Sequence, residues 1–273
     1  YKSALASLQT AIENANKAIQ AKLDALSTEK VENLEIGGRN LLINSDFERG
    51  LTGWSVSGAG LVTPPTDYIL SIPFNNSIAD VSGVNTMTGT NLPTFGTGRK
   101  GNDVAAIFNG SQSINTTTNL PLNSDKVTIS FWMKTTQTSI AIVAEMSENI
   151  NTNNAFCITI NETANKIWLN DRASGYNVVR SLASVNTGNW VHAVMMIDRT
   201  QDGTSQNKIY INGVLSYVQM SSYTTDHNGN FVNNILFIGQ RGGSTMGFNG
   251  SLQDFKVYNR VLTDSEIMDL YSE

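Results

Sequence analysis

The sequence predicts a mainly β fold, an antiparallel β-sandwich preceded by an N-terminal α-helical coiled coil. Three observations carry that prediction. Residues 1–36 contain no Gly or Pro, and their larger apolar residues step by three and four. From Lys126 onward, short runs rich in Ile, Val, Phe, Tyr and Thr follow one another, each bounded by Asn, Gly, Ser or Asp. Asn212-Gly213 joins two such runs in "KIYINGVLSY", the strongest short-range hairpin signal there is.

Taken in order, the first element is a stalk over residues 1–36. A heptad frame places Leu5, Ile12, Ile19 and Leu26 at a, with Leu8, Ala15 and Lys22 at d. Lys22 interrupts the seam, and Leu23 takes over if the register slips there. The apolar stripe is too narrow to be buried by one copy, so parallel association into a two- or three-stranded coil about 45–50 Å long is expected. The other reading is a lone amphipathic helix lying on the domain that follows. Residues 37–66 form a neck: Gly37 and Gly38 end the helix, "NLLI" supplies a short apolar run, and Pro64-Pro65 stiffen the exit. Trp54 is expected to pack in this neck.

Residues 67–273 are expected to form one sandwich, of roughly 200 residues and within range for a single all-β domain. The runs "KVTISFWMKT", "SIAIVAEMS", "AFCITIN", "KIWLND", "NVVRSLASV", "NWVHAVMMIDR", "KIYIN", "VLSYVQM", "NILFIGQ" and "SLQDFKVYN" supply its strands. A helix closes the chain at "LTDSEIMDLYS", where Thr263 and Glu266 have capping-box spacing and Ile267, Leu270 and Tyr271 share one face.

Composition excludes several function classes. Hydrophobic residues make up 40%, enough for a core, and charged residues only 15%, so Ser, Thr, Asn, Gln and Gly must build the surface. A net charge of -5 without a basic block argues against nucleic acid. No run of 18 or more apolar residues occurs, so no membrane-spanning helix is expected. The single Cys157 rules out an internal disulfide and a multi-cysteine zinc site, and "NAFCITI" makes it a buried apolar residue. With no signal peptide and Tyr1 in first place, the chain reads as a fragment of a longer protein.

Catalysis is not expected. "GTGRKG" has dinucleotide-loop spacing at Gly96, Gly98 and Gly101, but no strand–loop–helix surrounds it, so the glycines read as turns. His192 sits within a strand as a packed, hydrogen-bonded imidazole, while His227 lies in the loop "YTTDHNGN". Glu145 and Glu148 form a close carboxylate pair, but their spacing puts them on opposite faces of a strand, which suits a solvated strand end better than glycoside hydrolysis.

The sandwich region resembles the laminin-G-like branch of the concanavalin A-like lectin/glucanase superfamily. The likeness rests on "YILSIPFNNSIADVSG", "GRKGNDVAAIFNGSQSI", "VTISFWMKT", "NWVHAVMMIDRTQDGTSQNKIYINGVL" and, most specifically, "FNGSLQDFKVYNRVLTDSEIMDLY", and it spans Asp67 to Tyr271. It implies a jelly roll of two stacked antiparallel sheets, usually a binding module. The Glu-x-Asp-x-x-Glu strand of the glucanase members is absent. Some members bind Ca2+ with loop carboxylates; the matching positions are Asp80 and Asp254, and a turn-fixing hydrogen bond is the alternative role for Asp254. "GGRNLLINSDFERGLTGW" after a coiled coil resembles tail and receptor-binding proteins of tailed bacteriophages.

These resemblances imply a phage tail fibre or tail-tip fragment in the virion, outside the cell. Its stalk would join identical chains, with trimer favoured, its missing N-terminal part would meet other tail proteins, and its lectin-like tip would bind host cell-surface carbohydrate. Asp171, Arg172, Tyr176, Tyr223, Asp226, His227 and Arg241 are the loop residues expected to touch ligand, aromatics against sugar rings and charges against hydroxyls or phosphate-bearing polymers. A solvated loop role is open for each. Trp132, Trp168 and Trp190 are expected in the core. A structural spacer without a glycan site, or a polysaccharide-degrading tail enzyme, are the alternatives.

Overall fold

The computed structural model describes residues 64–147 and 155–273. The stalk over residues 1–36, all of the neck but its last three residues, and Trp54 therefore lie outside the described residues. So does Glu148.

Short β-branched and aromatic runs pair only with antiparallel neighbours, and they build two eight-stranded sheets. With strands numbered in chain order, the first sheet runs β13 (Val214–Leu215), β12 (Asn207–Ile211), β11 (Val191–Asp198), β6 (Lys126–Lys134), β16 (Asn249–Tyr258), β4 (Val104–Asn109), β3 (Thr94–Thr97). The short β1 (Leu70–Ile72) also pairs with β16. The second sheet runs β14 (Tyr217–Thr224), β10 (Tyr176–Ser181), β9 (Ile167–Arg172), β8 (Ala155–Ile160), β7 (Ala141–Met146), β15 (Leu236–Ile238), β5 (Ile114–Thr116), β2 (Met87–Thr88). A single helical turn, α1 (Gly203–Gln206), precedes β12, and α2 (Asp264–Ser272) ends the chain.

Period-two alternation places one side of the long strands in the core. Val127, Ile129, Phe131 and Met133 of β6 point inward, as do Ala193, Met195 and Ile197 of β11, where they meet Phe156, Ile158 and Ile160 of β8. Phe131 stacks on Phe255 at 5.5 Å between centroids. Cys157 is buried, as expected, and burial foremost pushes its thiol well above the ordinary range.

Turn chemistry follows the sequence closely. Asn212 and Gly213 both adopt positive φ (52° and 77°), the pairing a two-residue hairpin requires, and Ile211 faces Val214 across it. "GTGRKG" is the turn from β3 to β4: Gly98 N–H donates to Asp103 O at 2.7 Å, and Gly96 lies within β3. Thr263 and Glu266 close both halves of a capping box.

One expected strand is two. "VLSYVQM" breaks at Ser216, which serves both sheets. Its N–H donates to Ile209 O at 2.8 Å in the first sheet, and its Oγ accepts from Ala183 N at 3.1 Å beside the second. The chain crosses between layers there. Trp190 is likewise not a strand residue; it is half-buried just before β11.

The outer side of the first sheet is covered. Val194, Met196, Tyr210 and Tyr258 pack against Leu262, Ile267 and Leu270 from α2 and its approach. Beside them Trp132 is sandwiched, with the Arg99 guanidinium 4.0 Å above its ring and Tyr271 stacked at 5.7 Å. His192 lies in the same layer, its Nε2 2.9 Å from Ser130 Oγ. The packed imidazole expected there is present, and burial, with Arg99 and Lys256 nearby, lowers its pKa to about 3.

Candidate functional site

Among the described residues the outer side of the second sheet carries no such cover, and it holds a depression of about 510 Å3. Alternation supplies its floor. On β9, Ile167 and Leu169 face the core, so Trp168 and Asn170 face out; on β8 the same logic turns out Cys157 and Thr159. Register aligns these into rows, Thr159 opposite Trp168 and Cys157 opposite Asn170, with Val178 of β10 beyond Asn170. Tyr176 and Tyr223 form one wall, ring edge to ring face at 6.1 Å. Arg241 and Met246 form the other, held over the sheet by Ile142 N–H donating to Met246 O at 2.8 Å. Glu162 stands at the rim, its carboxylate accepting from Thr159 Oγ1.

Arg241 is anchored from beneath. Its Nε donates to Glu145 Oε2 at 3.0 Å, and the Glu145 side chain is fully buried. β7 reaches this arrangement through a bulge between Ile142 and Ala144. Without the extra residue, strict alternation from Ile142 would aim position 145 at the core; the bulge resets the parity and brings Glu145 out under Arg241. Burial pulls the Arg241 pKa down, but the Glu145 carboxylate outweighs it and the net shift is upward. Glu145 is therefore no solvated strand end, contrary to expectation.

The seven residues expected to touch ligand divide. Tyr176, Tyr223 and Arg241 come together around the depression. Arg172 supports Tyr176, its guanidinium 4.6 Å above the ring, while its Nη1 donates to Ala173 O and Gly175 O. Asp171 does not reach the surface. It alternates inward from Arg172 at the sandwich end, where it is fully buried and receives Arg199 Nε at 3.2 Å and His227 Nδ1 at 2.9 Å. His227 is only 3% exposed, so it too is a clamp on its loop and not a ligand contact. Asp226 is exposed beside Gly203 and lies apart from the depression.

The metal positions also resolve into other roles. Asp80 Oδ1 accepts from the N–H groups of Ser71 and Ser82 at 2.8 and 2.9 Å, and Oδ2 from Ser82 Oγ at 2.6 Å and from Asn85 N and Nδ2 at 3.0 and 2.9 Å. Both oxygens face donors, which suits a turn clamp and not a cation. Asp254 sits at positive φ (52°) in a bulge of β16, with Arg99 3.8 Å from its carboxylate. Among the described residues no three His, Cys, Asp or Glu side chains gather to hold a metal. The residues at both positions do not fit Ca2+.

Asn170, Thr159 and Glu162 were not singled out from the sequence, Trp168 was expected in the core, and Glu145 was expected at a solvated strand end. Trp168 is 7% exposed, as a core residue would be, yet it points away from the core. Its position between the inward-facing Ile167 and Leu169 was the available signal.

Comparison with known proteins agrees with this architecture. The family model for the concanavalin A-like lectin/glucanases superfamily matches residues 108–268. Among solved structures, domain 4 of AbnA, an extracellular GH43 arabinanase from Geobacillus stearothermophilus in complex with arabinotriose, aligns at TM-score 0.57 and 21% identity, covering 75% of this chain and 98% of that one. The botulinum neurotoxin serotype G binding domain aligns at TM-score 0.55 and 17% identity, covering 75% and 50%. The botulinum neurotoxin DC binding domain in complex with SialylT aligns at TM-score 0.54 and 14% identity, covering 76% and 51%. This chain thus spans about half the length of the neurotoxin domains. No curated protein matches the sequence.

Proposed function

The chain belongs to the concanavalin A-like lectin/glucanases superfamily, and from that membership we propose a glycan-binding module whose ligand face is the outer side of the second sheet. The observation that carries this is the depression where Trp168, Tyr176 and Tyr223 stand beside Asn170, Glu162 and Arg241. Aromatic faces next to fixed polar groups match the two sides of a sugar, its C–H face and its hydroxyls. The arabinotriose held by the arabinanase domain supports the same ligand class.

The module binds without catalysis. The Glu145 carboxylate is committed to Arg241, and that of Glu162 at the rim accepts from Thr159 Oγ1. The heptads of residues 1–36 and the "NLLINSDF" motif support a wider setting, an oligomeric tail protein of a bacteriophage, displayed on the virion and attaching to host cell-surface carbohydrate. Joining several tips on one stalk would turn weak single-site affinities into firm attachment.

Titration calorimetry of the full chain against a panel of oligosaccharides tests the binding reading. Saturable binding to at least one sugar is expected; none across the panel would sink it. Light scattering of the same chain tests the stalk, with a trimer mass expected and a monomer mass contradicting it.

A further inference from the structure

We propose that the depression takes an anionic glycan, one bearing carboxylate or phosphate groups, and that Arg172 and Arg180 set this preference. The inference rests on the glycan-binding reading above and extends it to the class of sugar. The chain carries a net charge of -5, and six arginines stand among its described residues. Four of them meet a carboxylate: Arg99 that of Asp254, Arg199 that of Asp171, Arg241 that of Glu145, and Arg260 those of Asp67 and Glu266. Arg172 and Arg180 meet none among the described residues. Both belong to the second sheet, on the strands that floor the depression.

Register places these two at opposite ends of that floor. Across β9 and β10, Arg172 lies opposite Tyr176, Asn170 opposite Val178, and Trp168 opposite Arg180. Directly opposed residues of antiparallel strands share a face, so both arginines leave the sheet on the side that Trp168 and Tyr176 present. Four residues of strand separate the outer two pairs, about 13 Å. The Arg172 guanidinium lies 4.6 Å above the Tyr176 ring, and its Nη1 donates to Ala173 O and Gly175 O. These partners are neutral, so they orient the group and leave its charge in place. Glu162 is the carboxylate at the rim, and its described contact is Thr159 Oγ1, not a guanidinium.

A glycan lying along these strands over Asn170 and Val178 would meet a guanidinium near each end of the floor. A carboxylate or phosphate there accepts charge-assisted, bidentate hydrogen bonds that a hydroxyl cannot match. The depression is partly enclosed, so salt screens the attraction less than in open water. A neutral sugar keeps the aromatic contacts and lacks this attraction.

The experiment is calorimetry of the full chain with three forms of one hexose oligosaccharide: neutral, with its primary alcohols oxidised to carboxylates, and with them phosphorylated. At low salt an anionic form is expected to bind about tenfold tighter than the neutral one, and the gap should narrow as salt is raised. A gain by either anionic form supports the proposal, and the larger gain names the source of the charge. Arg180→Gln, at a half-buried position with no ion pair to lose, should cut the preference about threefold to fivefold and leave neutral-sugar affinity unmoved. Arg172→Gln should cut it as much, with some loss for the neutral form as well because Tyr176 loses its support. Lys134→Gln, which removes an exposed charge from the first sheet, should leave the preference intact. Equal or tighter binding of the neutral form overturns the proposal and spares the glycan reading, as does a preference that neither arginine substitution moves. Failure of all three forms to bind, together with the whole panel, overturns both.

Discussion

The two sheets present outer faces built by the same alternation and put to opposite uses. On the first, Val194, Met196, Tyr210 and Tyr258 are roofed by Ile267 and Leu270 of α2, and Trp132 is closed between Arg99 and Tyr271. On the second, Trp168, Tyr176 and Tyr223 surround an open depression, and Tyr223 remains 47% exposed. Both faces carry aromatic and charged groups, so composition does not separate them. The last helix does. It covers the first face with the chain's own side chains, and among the described residues none does the same for the second.

Substitutions should therefore divide by face. The largest effect is expected from Leu270→Ala, which opens a cavity under α2 and should cost about 2–5 kcal/mol of stability in chemical denaturation. Glycan affinity measured on the folded fraction should be unchanged; a loss there would mean that the first face also binds.

His192 gives the covered face a pH signature. Its folded pKa, about 3, lies below its ordinary 6.5. Between those values the unfolded chain holds a proton that the folded chain refuses, so stability falls as pH drops through this window, by up to ~1.4 kcal/mol per unit from this group alone. Above pH 6.5 the contribution is constant. Replacing His192 with Gln should flatten that part of the stability–pH profile, and an unaltered slope would show that the imidazole is not buried in its neutral form.

Tyr223→Ala inverts the pattern. Removing an exposed aromatic should leave stability within ~0.5 kcal/mol. Sugar affinity should fall about fivefold to tenfold through lost ring contact. Thermal melts and calorimetry on one preparation separate the two effects.

Much of the sandwich was legible because alternation, the Asn212-Gly213 turn and the Thr263–Glu266 cap are local signals that tertiary structure here reinforces. The site was legible only in part. Tyr176, Tyr223 and Arg241, offered as ligand contacts because aromatic and basic residues in such stretches draw attention, lie together at the depression. Asp171 was misplaced because strand parity, and not its loop-like neighbourhood, sends it inward to Arg199 and His227. Glu145 was read as a solvated strand end because the β7 bulge that turns it under Arg241 leaves no mark in "AIVAEM". Ser216, where the chain changes sheets, looks in sequence like any other strand residue.

The most direct test of this account is a nuclear magnetic resonance titration of the full, isotope-labelled chain with a binding oligosaccharide. Shifts are expected at the Trp168 indole N–H, the Arg241 side chain and the backbone around Tyr176 and Tyr223, with the Trp132 indole and α2 unmoved. Shifts centred on Trp132, Tyr271 and α2, with the second sheet silent, would contradict it.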